Sequence, residues 1–181
     1  DANAMSGITG KWISYQQLLD QIEQAAAYLN DLDIGRNDPV AIVLPNGPMM
    51  ATAFLSIASA ATSAPLNPAY TAAEYAFYLE DLQAKAVIIE QGSDNPVVSI
   101  ANELGITIIE LVQAENGPAG LFHMIGGTKT GSSSAGGLAK RGDIALILHT
   151  SGTTSRPKMV PLTHKNLCTS AANICKTLQL S

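Results

Sequence analysis

Residues 149–164 read HTSGTTSRPKMVPLTH. Thr150, Ser151, Thr153, Thr154 and Ser155 crowd around Gly152, and Lys158 follows Pro157. Hydroxyls, one glycine and one lysine at this spacing suit an anion that offers many oxygens. Each hydroxyl can give a charge-assisted bond worth ~1.5–3 kcal/mol at best. Glycine lets the backbone come close, and lysine adds a compact positive charge. Ser, Thr and Gly also mark ordinary turns. The residues by themselves therefore leave open a surface loop with no ligand.

The stretch before this loop, DIALIL, is apolar and rich in aliphatic side chains, as a covered strand should be. The stretch after it, HKNLCTSAANICKTLQL, has helical periodicity. Strand, loop and helix in that order are expected to place an anion at the carboxyl end of the strand and at the amino terminus of the helix. A Walker-type loop, G-x-x-x-x-G-K-S/T, does not fit. Counting from Gly152, Pro157 stands where the second glycine belongs, and Met159 stands where a hydroxyl would meet magnesium. A Walker NTPase is poorly supported, and the hydroxyls must do the gripping.

The elements upstream define the frame. WISYQQLLDQIEQAAAYLNDLDIG reads as a helix capped by Ser14 with Gln17 reaching back, its apolar face made by Leu18, Leu19, Ile22, Ala26 and Leu29, ended at or before Gly35. PVAIVLP is a strand covered on both faces. Met49 to Ala64 reads as a helix of small residues, SAPLNPAY as an extended piece, and Thr71 with Glu74 as a second capping box. Helix AAEYAFYLEDLQA, strand KAVIIE, helix PVVSIANELG and strand ITIIEL complete the alternation. The pattern predicts an α/β fold: a mostly parallel sheet flanked by helices, with right-handed crossovers. Residues 113–142 show no periodicity, and the Gly- and Ser-rich part near 126–142 is expected to be a flexible loop. Residues 1–5, which include DANA before Met5, are expected to be an expression scar and are set aside.

Composition excludes several classes. Fifteen acidic and ten basic residues give a net charge of −5, with no basic stripe, so nucleic acid is not an expected partner. The longest apolar stretch falls short of ~20 residues and carries five hydroxyls, so a buried helix is expected rather than a membrane span. Cys168 and Cys175 would lie ~10 Å apart along one helix, beyond the ~7 Å reach of a disulfide. Buried thiols in a reducing, cytoplasmic setting are expected. Only 14% of residues are charged, against ~25% in typical soluble domains. Uncovered apolar surface, and hence self-association of this chain, is the expected consequence.

TSGTTSRPKMVPLTH resembles the phosphate-binding signature of the adenylate-forming enzymes, the acyl-CoA synthetase and luciferase superfamily, whose usual form is S/T-S-G-T-T-G-x-P-K-G-V. WISYQQL and SAPLNPAYTAAEYAFYLEDLQAKAVI resemble the family's early segments, so the likeness covers the chain from about Lys11 onward. The resemblance implies the N-terminal subdomain of that fold, with residues 6–181 forming the first part of an AMP-binding domain. Later segments and a mobile C-terminal domain are then expected outside it. It implies ATP, Mg2+ and coenzyme A, with a carboxylic acid activated as an acyl-adenylate and passed to the thiol. Thr150, Ser151, Gly152, Thr153, Thr154 and Lys158 would bind the ATP phosphates, and Lys158 would neutralise charge growing on pyrophosphate. No metal ligand is assigned in this chain. HTSGTTSRPK followed by PLT looks more like the oxalate–CoA ligase branch than a general fatty-acid ligase. A fatty-acid–CoA ligase and a non-catalytic nucleotide-binding module are the alternatives. Two positions depart from the family form, Ser155 and Met159 each replacing glycine. If the family's glycine at 155 uses positive φ, serine there costs ~1 kcal/mol. His149, where the family often has an aromatic, is expected to pack at the strand end. The chain by itself is expected to have no ligase activity.

Overall fold

A computed structural model describes residues 2–7, 11–114, 117–118, 120–150 and 157–179. The elements in chain order are β1 (Asn3–Met5), β2 (Ile13–Ser14), α1 (Tyr15–Asp31), β3 (Pro39–Val43), α2 (Pro48–Ala58), β4 (Thr62–Pro65), α3 (Ala72–Leu82), β5 (Ala86–Glu90), α4 (Val97–Glu103), β6 (Thr107–Gln113), β7 (Phe122–Gly126), β8 (Ile144–Thr150), β9 (Lys158–Thr163) and α5 (His164–Leu178). Strands β1 and β2 form a small antiparallel pair. The leading residues set aside in the sequence therefore pair with the start of the fold. The other seven strands form one sheet in the order β7-β6-β5-β3-β4-β8-β9. Its five inner strands are parallel, and β7 and β9 close the edges antiparallel. The expected α/β architecture is present.

Alternation along the strands explains why both faces are covered. Val40 and Ile42 of β3 point to one side, where Ala26 and Leu29 of α1 and Ala53 and Ile57 of α2 meet Ile88 and Ile109. Ala41 and Val43 point to the other, where Tyr75 and Leu79 of α3 and Val97 and Ile100 of α4 meet Val87 and Ile89. Helices on opposite faces follow from right-handed crossovers that run in both directions from β3. Both expected capping boxes form: Ser14 with Gln17 and Thr71 with Glu74. A third, Thr163 with Asn166, starts α5.

Several expectations need correction. The face that α1 buries is Gln21, Ala25, Ala26 and Leu29, whereas Leu19 is exposed. Small alanines let α1 sit close to the sheet. Gln21 is tolerated because its Oε1 accepts from the buried Phe122 N–H at 3.1 Å. Helix α2 ends at Ala58, so Thr62 and Ser63 belong to strand β4. Their buried hydroxyls donate to Ile144 O at 2.8 Å and Phe54 O at 3.1 Å. Strand β7 lay within the stretch read as aperiodic. It is short, and it ends on Gly126 at φ 94°, where a Cβ would meet Ile108 O at 2.7 Å. The Gly- and Ser-rich segment beyond it makes hydrogen bonds to α1 and the turn that follows it, and its expected flexibility is a separate matter that these bonds leave open. Thr130 N and Ser133 N donate to Asp31 O and Asn30 O, and Arg36 donates to Ala135 O through both its backbone N and Nε. Cys168 and Cys175 are exposed, because α5 buries none of its residues against the described elements.

The turn into β8 is organised by Asp143. Its Oδ2 accepts from Lys140 N at 2.7 Å and lies 3.5 Å from Arg36 Nη1, and its Oδ1 accepts from Asn37 Nδ2 at 3.2 Å. The Lys140 amide bond holds the Asp143 carboxyl below the usual carboxylate range against the opposing push of burial, with help from Asn37 and Arg36. A depressed folded value means the stabilisation is complete above the unfolded value of about 4 and is lost as pH falls through the folded value. Asp143→Asn should therefore cost about 1 kcal/mol near neutral pH, and the gap in thermal midpoint from the unchanged chain should close on acidification. Diluted until it is monomeric, the native 181-residue chain should expose both thiols of α5 to a thiol reagent as fast as denaturant does, within about tenfold; strong protection in the monomer would show that the chain itself covers the face.

Candidate functional site

The quoted loop joins two strands, not a strand and a helix. Strand β9 runs back along β8 in the register Thr150↔Lys158, His149↔Met159, Leu148↔Val160 and Ile144↔Thr163. The continuous run MVPLT hid this strand because Pro161 argues against one. Proline is tolerated here because β9 is an edge strand. Helix α5 begins only after β9 has returned the length of β8. At ~3.3 Å per residue, six steps from Ile144 to Thr150 place the two ends about 20 Å apart. The amino terminus of α5 is thus at the wrong end of the sheet for the loop. Its first N–H groups are also taken: His164 N donates to Asp143 O, Lys165 N to Arg141 O, and Asn166 N to Thr163 Oγ1. The expected contribution of a helix dipole to anion binding is overturned.

What remains is a hairpin mouth. Thr150 and Lys158 face each other across the last pair of the ladder, at the carboxyl end of β8. Because the inner strands are parallel, this end is shared with the carboxyl ends of β3, β4, β5 and β6. Thr150 Oγ1 sits 3.5 Å from Lys158 O, too far for a strong bond, so the hydroxyl is available to a ligand. Ser151, Gly152, Thr153 and Thr154, the other expected phosphate contacts, and Ser155 lie outside the described residues. Met159 is an exposed strand residue opposite His149.

His149 packs at the strand end, as expected. Its side chain is only 6% exposed, and its Nε2 lies 3.0 Å from Asp81 Oδ2 on α3. Its ring meets Tyr78 edge-on at 4.7 Å, and Tyr78 stacks on Tyr70 at 4.8 Å. Burial pushes the Tyr70 hydroxyl up to about 12, and a bond with Tyr78 adds to the shift. Sequence reasoning found His149 but neither partner. Asp81 and Tyr78 are three apart on a helix, which is a common spacing and carries no signal.

Among the grooves elsewhere on the described residues, two bear comparison with the hairpin mouth. The larger, about 510 Å³, runs along the first half of α5 between Lys140, His164, Cys168 and Ala172, away from the hairpin mouth. A smaller one, about 180 Å³, opens at the carboxyl ends of β3 and β5 beside Asn46, Gly47, Glu90 and Gln113. The Glu90 carboxylate there opposes an anionic ligand. Among the described residues no three His, Cys, Asp or Glu side chains gather to hold a metal, and no helix is long and apolar enough to cross a membrane.

Comparison with known proteins identifies the family. Residues 1–180 match the AMP-binding enzyme family, and the chain belongs to it. It is 37% identical to an oxalate–CoA ligase of Arabidopsis thaliana over all of this chain and 36% of that protein. It is 36% identical to an oxalate–CoA ligase of Saccharomyces cerevisiae over 81% of this chain and 31% of that protein. The apo crystal structure of MatB from Rhodopseudomonas palustris superposes with a TM-score of 0.76 at 27% identity, over 97% of this chain and 34% of MatB. An ATP-bound MatB structure superposes at 0.71 and 26% identity, over 93% and 33%. The chain spans about a third of the length of the relatives it matches.

A single substitution tests whether the hairpin mouth is a local unit. Thr150→Pro removes the strand N–H and should detach the last ladder pair, speeding amide exchange at Met159 and Val160 by at least about tenfold while leaving Val40 and Ile88 in the central strands unchanged. Equal loss of protection in β3 and β5 would contradict the edge placement.

Proposed function

We propose that the complete protein is an ATP-dependent acid–thiol ligase that activates a carboxylic acid, oxalate in the first instance, and transfers it to coenzyme A. The observation that carries this reading is the hairpin mouth itself, a lysine and a threonine paired at the carboxyl edge of a parallel sheet, in a chain of the AMP-binding family. Oxalate is supported by two relatives named as oxalate–CoA ligases at 37% and 36% identity, above the 32% shared with a 4-coumarate–CoA ligase of Petroselinum crispum.

The chemistry follows from charge. A carboxylate oxygen attacks the α-phosphorus of ATP, the bond to the bridging oxygen breaks, and pyrophosphate leaves with its electron pair. Negative charge grows on the leaving group, and donors fixed there lower the barrier. Lys158 supplies the positive charge, and Thr150, with Ser151, Gly152, Thr153 and Thr154, supplies hydroxyl and amide donors. In the second half, the coenzyme A sulfur attacks the acyl carbon and AMP leaves. Mg2+ enters with the nucleotide as part of the substrate, and none of the described residues is given a role in holding it.

Lys158→Met in the complete protein should lower the rate of oxalate-dependent pyrophosphate release by about a hundredfold or more; an unchanged rate would remove the lysine from the reaction. The 181-residue chain alone should release no pyrophosphate, and robust acid-dependent release by it would contradict the reading. We also propose that this chain alone self-associates through α5, whose Ile174 and Leu178 are exposed. Ile174→Glu should shift sedimentation toward the monomer, and a wild-type chain that is already monomeric at high concentration would dispose of that proposal.

A further inference from the structure

We propose that His149 and Asp81 form a brace that positions Thr150 and Lys158 for work on phosphate. The inference rests on the ligase reading above and adds to it a residue pair that acts through those two side chains. His149 precedes Thr150 in β8, and its cross-strand partner Met159 follows Lys158 in β9. The braced pair of the ladder is therefore the one immediately before the mouth.

The side chain of His149 continues the face of β8 that Ile147 buries against α3 and α4. At 6% exposure its polar nitrogen needs a partner, and the Asp81 carboxylate at 3.0 Å provides it. The imidazole N–H donates, and the carboxylate, 38% exposed, accepts. The ring also meets Tyr78 at 4.7 Å with a 63° angle between planes. From Tyr78 the contacts run inward: Tyr70 stacks on it, Tyr75 meets Tyr70 edge-on at 5.9 Å, and the Tyr75 hydroxyl donates to Asn67 O at 3.0 Å. Tyr75 is fully buried. A continuous set of contacts thus links the end of β8 to the core of the α3 layer.

The last pair of a hairpin ladder frays unless something holds it. Donors that stabilise a leaving group act best when they are already in place as charge develops, and a displacement of about 1 Å can cost a large factor in rate. His149 touches neither nucleotide nor acid in this account. It is a positioning residue, and Asp81 holds it.

The test uses the complete protein and oxalate-dependent pyrophosphate release. His149→Phe keeps a ring against Tyr78 and loses the bond to Asp81. Asp81→Leu severs the same bond from an exposed helix position, so it reads the contact even if His149→Phe fails to fold. Each should lower kcat about tenfold with little change in KM for ATP. The double variant should be no slower than either single one, and Asp81→Asn, which restores an acceptor, should recover kcat to within about threefold. Single variants with wild-type kcat and only a lower Tm would make the contact structural and overturn the brace. So would a double variant whose losses multiply. A wild-type protein that releases no pyrophosphate would overturn the ligase reading and the brace with it, whereas an active wild type with indifferent variants would overturn the brace alone.

Discussion

The antiparallel return of β9 along β8 is the constraint on which the rest of the site depends. It sets Lys158 opposite Thr150 at the carboxyl edge of a parallel sheet. It also carries the chain back to the other end of β8 before α5 begins, where Asp143 and Arg141 accept from the first two N–H groups of that helix. A loop that ran straight into a helix would have had a dipole to share with an anion. This one has side-chain hydroxyls, loop amides and one ammonium group.

The sheet makes such a hairpin affordable. Its inner strands are buried on both faces, and the two apolar layers meet through β3 and β5, whose side chains alternate between them. Three polar side chains that enter this interior are paired, Gln21 with Phe122 N, Thr62 with Ile144 O and Ser63 with Phe54 O, whereas the buried Ser56 hydroxyl has no partner among the described residues. Two of these bonds hold the neighbours of β8, so the strand that carries the site is fixed on its inner side by β4 and from above by α3. Its outer side is the hairpin partner alone, and α5 leaves its apolar residues uncovered.

Much of this was legible in the residues. PVAIV, AVIIE and TIIEL have only one covered-strand reading, and the Ser14–Gln17 and Thr71–Glu74 boxes mark helix starts by a local hydrogen-bond rule. The phosphate signature was legible as a resemblance. What escaped depended on partners remote in sequence. MVPLT looked like loop because a proline is acceptable only on an edge, and which strand forms the edge is a tertiary fact. Thr62 and Ser63 looked like the tail of a helix because their burial depends on acceptors nine and eighty-two residues away. The exposed thiols on α5 looked buried because amphipathic periodicity says that a face seeks cover, not that cover is present. Asp81 was invisible as a partner of His149 for the same reason.

Selective nitrogen labelling of threonine, lysine and asparagine in the complete protein, followed by titration with ATP, tests the hairpin mouth most directly. The amides of Thr150 and Lys158 should shift on binding, while that of Asn166 at the start of α5 should not. Shifts confined to the start of α5, with Thr150 and Lys158 unmoved, would contradict the account and return the phosphates to a helix terminus.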